Sequence, residues 1–191
     1  IKSGDKVIAV IAPAFWGQFG EQVTPGQIVT AMKMLGFQSV EEVAIGADLC
    51  AVEEADEFMR HVPEKQPYMA TSCCPAWSVM AKKEFPGAAP YISMTMTPMV
   101  LTPANYEASA PGVGFAASGG VAKAVEDVIH RLDPEREVKT VYAEGLRECR
   151  KMLRIARTGK YDGYLLEGMA CPGGCIAGAG TIQPPEKSRR V

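Results

Sequence analysis

The chain has 191 residues, a net charge of −2 at pH 7, and 47% hydrophobic residues. That is enough for one domain, or two small lobes, around a hydrophobic core. The balanced charge excludes a general attraction to nucleic acid or to an anionic membrane, and no stretch approaches the roughly 20 apolar residues that a membrane span needs. The first residues carry no signal-peptide pattern, so we expect a cytoplasmic protein.

The first half of the chain alternates apolar runs of strand length with helical patterns. Thr24 and Pro25 have the residue types favoured at the start of a helix, and Gly36 has the type that ends one. The patterns predict strands at 7–11, 39–45 and 68–72 and helices at 24–35, 47–61 and 75–85.

The second half repeats this alternation after an interruption. Residues 93–114 show no clear element, which is unusual inside a compact domain. The chain then predicts a helix at 120–132, a strand at 138–143, a helix at 145–158 and a strand at 161–166. Alternating strands and helices indicate an α/β fold with a mostly parallel sheet.

Four of the six cysteines lie in two tight clusters, Cys73-Cys74 and Cys171/Cys175. Each cluster follows a predicted strand, and ligands in parallel α/β folds gather at the carboxyl ends of strands. We therefore expect one shared site. Without export signals, this spacing favours metal or redox chemistry over structural disulfides.

The cysteine spacing suits an iron–sulfur cluster. Cys171 and Cys175 share one tight turn with two glycines, and Cys74 precedes a proline at a predicted helix start, where the helix dipole favours a thiolate. Adjacent cysteines rarely point at one metal, so one of Cys73 and Cys74 should ligate while the other faces a cavity and handles protons.

Two alternatives are a structural zinc site and buried free thiols. Zinc sites prefer closely spaced cysteine pairs with histidine partners. The two histidines, His61 and His130, lie near neither cluster in the sequence. Buried free thiols are the favoured interpretation for Cys50 and Cys149, which lie in helical contexts.

Two motifs carry a specific resemblance. Residues 71–77 read TSCCPAW and match the first signature of [FeFe] hydrogenases, TSCCPxW; residues 167–175 read EGMACPGGC and resemble the third, ExMACxGGCxxGGG. Segments 11–14, 47–54 and 115–121 resemble further family segments in the same order. The resemblance runs from about residue 7 to residue 181.

The resemblance implies a fold with two lobes of mostly parallel sheet flanked by helices, and a metal site in the cleft between them. The implied cofactor is the H-cluster, a [4Fe–4S] cubane bridged to a diiron subsite that carries CO, cyanide and an azadithiolate. Cys73 resembles the free thiol that exchanges protons with this subsite. The implied cubane ligands are Cys74, Cys171 and Cys175; the implied pocket residues are Pro13, Ala14, Phe115 and Met169; and the implied proton relay is Glu54, Ser93 and Glu57.

One family feature is absent. The second signature, PCxxKxxE, supplies a fourth cubane cysteine and a lysine, and this sequence contains no such motif. We interpret residues 1–191 as one H-cluster domain from which an internal segment is missing around 100–104, either deleted or simply not represented in this sequence.

The expected function is reversible H2 oxidation and proton reduction. The implied partners are H2, protons, an external electron carrier such as ferredoxin, and maturation proteins that deliver the diiron subsite; neither a nucleic acid nor a membrane span is expected. Alternatives are a hydrogen-sensing or low-activity regulatory member of the family, a non-catalytic iron–sulfur assembly relative, and a simple electron-carrier module.

Overall fold

The computed structural model describes residues 6–103 and 108–188, which contain two parallel sheets. In the first, β1 (Ile8–Ile11) pairs with β2 (Ser39–Glu42). The second contains β3 (Met69–Ala70), β4 (Lys139–Glu144) and β5 (Tyr164–Met169) in the order β3-β5-β4. Every pair is parallel, so the predicted α/β class with a mostly parallel sheet is confirmed.

Helices flank and connect these strands. The described residues form α1 (Pro13–Trp16), α2 (Pro25–Met34), α3 (Val43–His61), α4 (Pro75–Glu84), α5 (Pro98–Leu101), α6 (Ala110–Gly114), α7 (Gly120–Leu132), α8 (Leu146–Ala156) and α9 (Pro185–Ser188). Short 3-10 turns occupy Gly17–Phe19, Pro86–Tyr91 and Cys175–Ala177. Within the described ranges, no helix has the length and hydropathy to span a bilayer.

The start of α2 shows how local sequence fixes an element. The Thr24 hydroxyl accepts from the Gln27 N–H at 3.3 Å, and the Gln27 side chain accepts from the Thr24 N–H at 2.8 Å. This reciprocal pair satisfies two N–H groups that a helix start otherwise leaves unbonded. Pro25, which has no N–H to satisfy, occupies the first helical position as predicted.

The central strand of the second sheet, β5, is buried on both faces. Adjacent side chains of β5 point to opposite sides, with Leu165 in one apolar cluster and Leu166 in the other. Helices α3 and α7 cover the first face, and α4 and α8 cover the second. A smaller cluster, which includes Ile11, Trp16 and Ile28, supports the first sheet. The two sheets thus define two lobes.

The predicted strand at 39–45 is wrong in its second half. Pairing with β1 ends at Ile11 and Glu42, and residues 43–45 form the first turn of α3 instead. Val43 and Ile45 are β-branched and favour a strand by local pattern, but without a partner strand they are buried as helical side chains. Tertiary packing therefore overrides their propensity.

The segment without a predicted element contains two short helices. Both α5 and α6 pack against α3. Residues 104–107 lie outside the described part of the chain. The described structure therefore includes only part of the place, around residues 100–104, where a family segment is predicted to be missing.

Gly168 in β5 offers a test of packing beneath the cysteine clusters. A Cβ at this position would overlap the indole ring of Trp77, which is fully buried in α4. Because Trp77 has no open space to enter, we expect Gly168→Ala to lower the free energy of unfolding by about 3 kcal/mol. Gly87→Ala, whose Cβ would meet nothing within 4 Å, is the matched control. Chemical denaturation measures both, and equal midpoints would contradict this account of the packing.

Candidate metal and proton-transfer site

A cavity of about 360 Å³ lies between the two lobes, at the carboxyl ends of β1, β3 and β5. Its walls are almost entirely apolar. The strand ends converge there because the strands of each sheet are parallel, as predicted. The cavity contains all four residues predicted to line the cofactor pocket, namely Pro13, Ala14, Phe115 and Met169, together with Cys73, Cys74 and Cys175.

Glu167 holds one wall of this cavity in place. It is fully buried in β5, and its two carboxylate oxygens accept from the N–H groups of Gly119 and Ala122, both at 2.8 Å. A carboxylate at the start of a helix is stabilised by the free N–H groups and the helix dipole. Burial raises the pKa of the Glu167 carboxyl, and these hydrogen bonds lower it in part. They also tie the loop that carries Phe115 to β5.

The turn that carries Cys171 and Cys175 is shaped by glycine. Gly173 and Gly174 have φ values of 87° and 88°, a region that side-chain-bearing residues rarely adopt. A Cβ on Gly174 would lie 2.5 Å from the Ala116 carbonyl oxygen. The Gly173 N–H also donates to a carboxylate oxygen of Glu144 at 2.9 Å, which anchors the turn to the end of β4.

The three predicted cubane ligands approach one another at this turn. The Ala170 N–H donates to Cys74 Sγ at 3.4 Å, which links the start of α4 to the residue before Cys171. Cys175 is exposed as a whole residue, but its thiol is shielded. This burial raises the pKa of Cys175, and the neighbouring Cys74 and Cys171 raise it further. The three thiols are therefore a candidate donor set for an iron–sulfur cluster.

Two further observations bear on what this donor set could hold. Within residues 6–103 and 108–188, no three His, Cys, Asp or Glu side chains are close enough to chelate a single metal ion. A cubane separates its ligands more widely than one ion does, because each thiolate binds a different iron. Beside the cysteine turn, the buried Ser118 hydroxyl has no hydrogen-bond partner among the described residues, and cluster sulfur could accept from it. The residues fit a cubane at three of its four irons.

Cys73 lines the cavity and directly precedes Cys74 in the chain. Burial raises the pKa of its thiol above the ordinary value. The nearby Glu54 raises it further, and Cys50 does so to a smaller extent. The Ser72 N–H donates to Glu54 Oε1 at 3.2 Å. Cys73 therefore lines the cavity, and its chain neighbour Ser72 binds the buried Glu54 carboxyl.

The three predicted relay residues lie in sequence from the cavity toward the surface. Glu54 is fully buried, Ser93 is 1% exposed, and Glu57 is partly exposed. The Ser93 hydroxyl donates to Glu57 Oε2 at 2.7 Å and accepts from the Thr95 N–H at 3.1 Å. The structure thus brings Glu54, Ser93 and Glu57 together.

Glu54 has the properties of a group that exchanges protons near neutral pH. Burial raises its pKa to about 8, aided by Glu57 and opposed by the hydrogen bond from Ser72. Its Oε2 has no hydrogen-bond partner within the described ranges. When protonated, this oxygen could donate to the Ser93 hydroxyl oxygen, whose single proton is already donated to Glu57.

Sequence reasoning missed part of the cavity wall. Val43 and Ala47, from the first turns of α3, line it, as do Thr97, Pro98 and Met99 around the start of α5. Val43 was assigned to the predicted strand at 39–45, so its position on the cavity wall was not expected. The α5 residues lie in the segment for which no element was predicted. The role of Glu167 was also missed, although a lone carboxylate inside an apolar strand is a usable signal.

Cys50 and Cys149 are fully buried in α3 and α8. The Cys149 thiol donates to the carbonyls of Ala143 and Met169 at 3.4 and 3.5 Å. Neither lines the cavity in the described structure. Their placement agrees with the interpretation of both residues as buried small side chains.

Curated relatives share sequence with about half of this chain. Iron hydrogenase 1 of Clostridium pasteurianum is 37% identical over 93 residues, which are 48% of this chain and 16% of that protein. The periplasmic [Fe] hydrogenase large subunit of Nitratidesulfovibrio vulgaris is 31% identical over 104 residues, 49% of this chain and 25% of that protein. The matches therefore span a quarter or less of these relatives.

Solved structures share the fold. The apo form of [FeFe]-hydrogenase HydA1 from Chlamydomonas reinhardtii matches with a TM-score of 0.74 and 18% identity, covering 96% of this chain and 82% of that one. The family model for the C-terminal domain of the iron-only hydrogenase large subunit matches residues 5–106 and 102–179. Together these stretches cover most of the sequence, and the chain therefore belongs to the family of C-terminal domains of iron-only hydrogenase large subunits.

Proposed function

We propose that this chain is the catalytic domain of an iron-only hydrogenase, which interconverts H2 with protons and electrons. The observation that carries the proposal is the continuous arrangement from the apolar cavity through Cys73 and Glu54 to Ser93 and Glu57. An iron–sulfur site that only carried electrons would need neither the cavity nor a buried carboxyl leading away from it.

The cofactor we propose is the H-cluster. Cys74, Cys171 and Cys175 would hold its cubane, and the cavity lined by Pro13, Ala14, Phe115 and Met169 would enclose its diiron part. When bound, this group supplies the bond chemistry of hydrogen and the storage of electrons. The protein contributes position, an apolar enclosure that limits water, and a path for protons.

The path for protons is supplied by the chain's own side chains. Cys73 Sγ exchanges a proton with the cavity and with Glu54, and the Glu54 carboxyl exchanges it with the Ser93 hydroxyl. Ser93 then passes a proton to Glu57 Oε2, to which it already donates at 2.7 Å. Glu57 reaches solvent because it is partly exposed. We propose that electrons come from an external carrier such as ferredoxin, and that maturation proteins supply the diiron part.

We also propose that the chain is one domain from which a family segment is missing near residues 100–104. The family model supports this because its match falls into two stretches that meet at residues 102–106. The absence of the PCxxKxxE signature from the sequence points to the same place.

The test is anaerobic H2 evolution with a reduced dye as electron donor, after loading the full chain first with iron and sulfide and then with a synthetic diiron azadithiolate complex. We expect H2 formation well above that of the same protein holding only its cubane. Absence of H2 from protein with an intact cubane signal would favour a sensory or low-activity member of the family. Failure to bind any cluster would overturn the proposal.

A further inference from the structure

We infer that a cubane in this chain is held by three cysteine thiolates and that its fourth iron is open to a small external donor. This inference rests on the proposed function, because it assumes that a cubane binds. A cubane has four irons, each of which needs a ligand in addition to the cluster sulfides. A fourth protein ligand would have to come from another cysteine, a histidine or a carboxylate of the chain.

The amino-acid sequence limits the supply of thiolates. It contains six cysteines, and the residues outside the described ranges include no cysteine or histidine. Three of the six, Cys74, Cys171 and Cys175, form the set at the glycine turn. The fourth ligand would have to be Cys50, Cys73 or Cys149.

The structure engages each of these elsewhere. Cys149 donates to two backbone carbonyls beneath β5, and Cys50 is fully buried in the cluster between α3 and the sheet. Cys73 lines the cavity beside Phe115 and Met169. The neighbouring Cys74 sulfur instead accepts from the Ala170 N–H at 3.4 Å, next to the cysteine turn.

Among the described residues, both histidines are remote from the cavity, and the carboxylates beside the cysteine turn are occupied. The start of α3 lines the cavity, and His61 lies 14 residues beyond Ala47, about 20 Å along the helix at 1.5 Å per residue. His130 is in the last turn of α7, whose opposite end binds Glu167. Both oxygens of Glu167 accept N–H groups, and Glu144 is bonded to the cysteine turn.

The open iron would take a small oxygen, sulfur or nitrogen donor, such as water, hydroxide or a low-molecular-weight thiol. Because no donor among the described residues ties that iron to the chain, it is the one that oxidation would release. One-electron oxidation by ferricyanide would convert [4Fe–4S]²⁺ to [3Fe–4S]⁺ with loss of one Fe²⁺, and the electron would reduce ferricyanide to ferrocyanide. The three remaining irons keep their thiolates.

The experiment uses the full chain loaded anaerobically with iron and sulfide but without a diiron complex. We expect one equivalent of ferricyanide to convert most of the cluster to a form with the EPR signal of a three-iron cluster. Adding ⁵⁷Fe²⁺ and reductant should restore the cubane with the label confined to one site in the Mössbauer spectrum. Addition of 2-mercaptoethanol should alter the EPR spectrum of the reduced cubane.

Three variants serve as checks, and each outcome decides the inference. Cys50→Ala, Cys73→Ala and Cys149→Ala should leave the oxidation product and the single-site labelling unchanged. A cubane that resists iron loss, or one that takes up label at all sites, would show a fourth protein ligand and overturn the inference while leaving the hydrogenase proposal standing. A chain that binds no cluster would overturn both.

Discussion

Replacing Cys73 with alanine is expected to lower H2 evolution by a factor of about 10²–10⁴, the usual contribution of a positioned acid–base group, without loss of cubane content. Cys73 lines the cavity, whereas the three proposed cubane ligands meet at the glycine turn. Its chain neighbour Ser72 donates its N–H to Glu54, the first buried group of the proposed relay. Removing it interrupts the path at the start but leaves the cluster's ligands intact.

Cys50→Ala is the matched control for this substitution. Cys50 is also fully buried and is near enough to raise the pKa of Cys73, but it does not line the cavity in the described structure. It should keep most of the activity. The measurement is dye-driven H2 evolution at equal cubane content, determined from absorbance and EPR. Full activity in the Cys73 variant would show that protons leave the cavity by another path.

Much of the fold could be predicted because the strands and helices carry strong local signals. The strand at β1, the capped start of α2 and the full extent of α7 follow directly from apolar runs, a threonine–proline start and helical periodicity. Strand ends were less predictable, since β5 begins at Tyr164 and not at residue 161. Its extent is set by pairing with β4, a contact between distant parts of the sequence.

The candidate site was predictable to the extent that it resides in contiguous motifs. Pro13 and three of the clustered cysteines, Cys73, Cys74 and Cys175, follow strands, so the parallel sheets bring them to one cavity. The contribution of Val43 and Pro98 was not predictable, because it depends on how α3 and α5 pack across the cleft. The hydrogen bond between Glu167 and the start of α7 was likewise not predictable, because it joins residues more than 40 positions apart.

The second prediction concerns Glu54, the most buried residue of the proposed relay. Glu54→Gln is expected to reduce H2 evolution by a factor of about 10² or more, because an amide cannot pass on the proton that a carboxyl transfers. Glu57→Gln should have a smaller effect, since Glu57 is partly exposed and water can replace it. A larger loss of activity for Glu54→Gln than for Glu57→Gln indicates a proton path that ends at the surface. Equal losses would indicate a general electrostatic effect of removing one carboxylate.

The same substitution should change how stability depends on pH. With a pKa raised from 4.5 to about 8 in the folded protein, Glu54 keeps its proton between those values while the unfolded chain loses it. The wild-type protein therefore loses stability through this group as pH rises from about 4.5 to about 8, by an amount on the order of 5 kcal/mol. Above that range the penalty is constant.

Glutamine has no proton to lose, and its side-chain oxygen can still accept from the Ser72 N–H while its amide donates toward Ser93. The difference in melting temperature between Glu54→Gln and wild type should therefore grow in favour of the variant from pH 5 to pH 8. This difference, measured by thermal unfolding of the cluster-loaded proteins, separates a buried carboxyl that is protonated at neutral pH from one that is already ionised. If the Glu54 difference stayed flat across this range, the carboxyl would be ionised at neutral pH, which would contradict its assignment as a buried carboxyl whose pKa is raised to about 8.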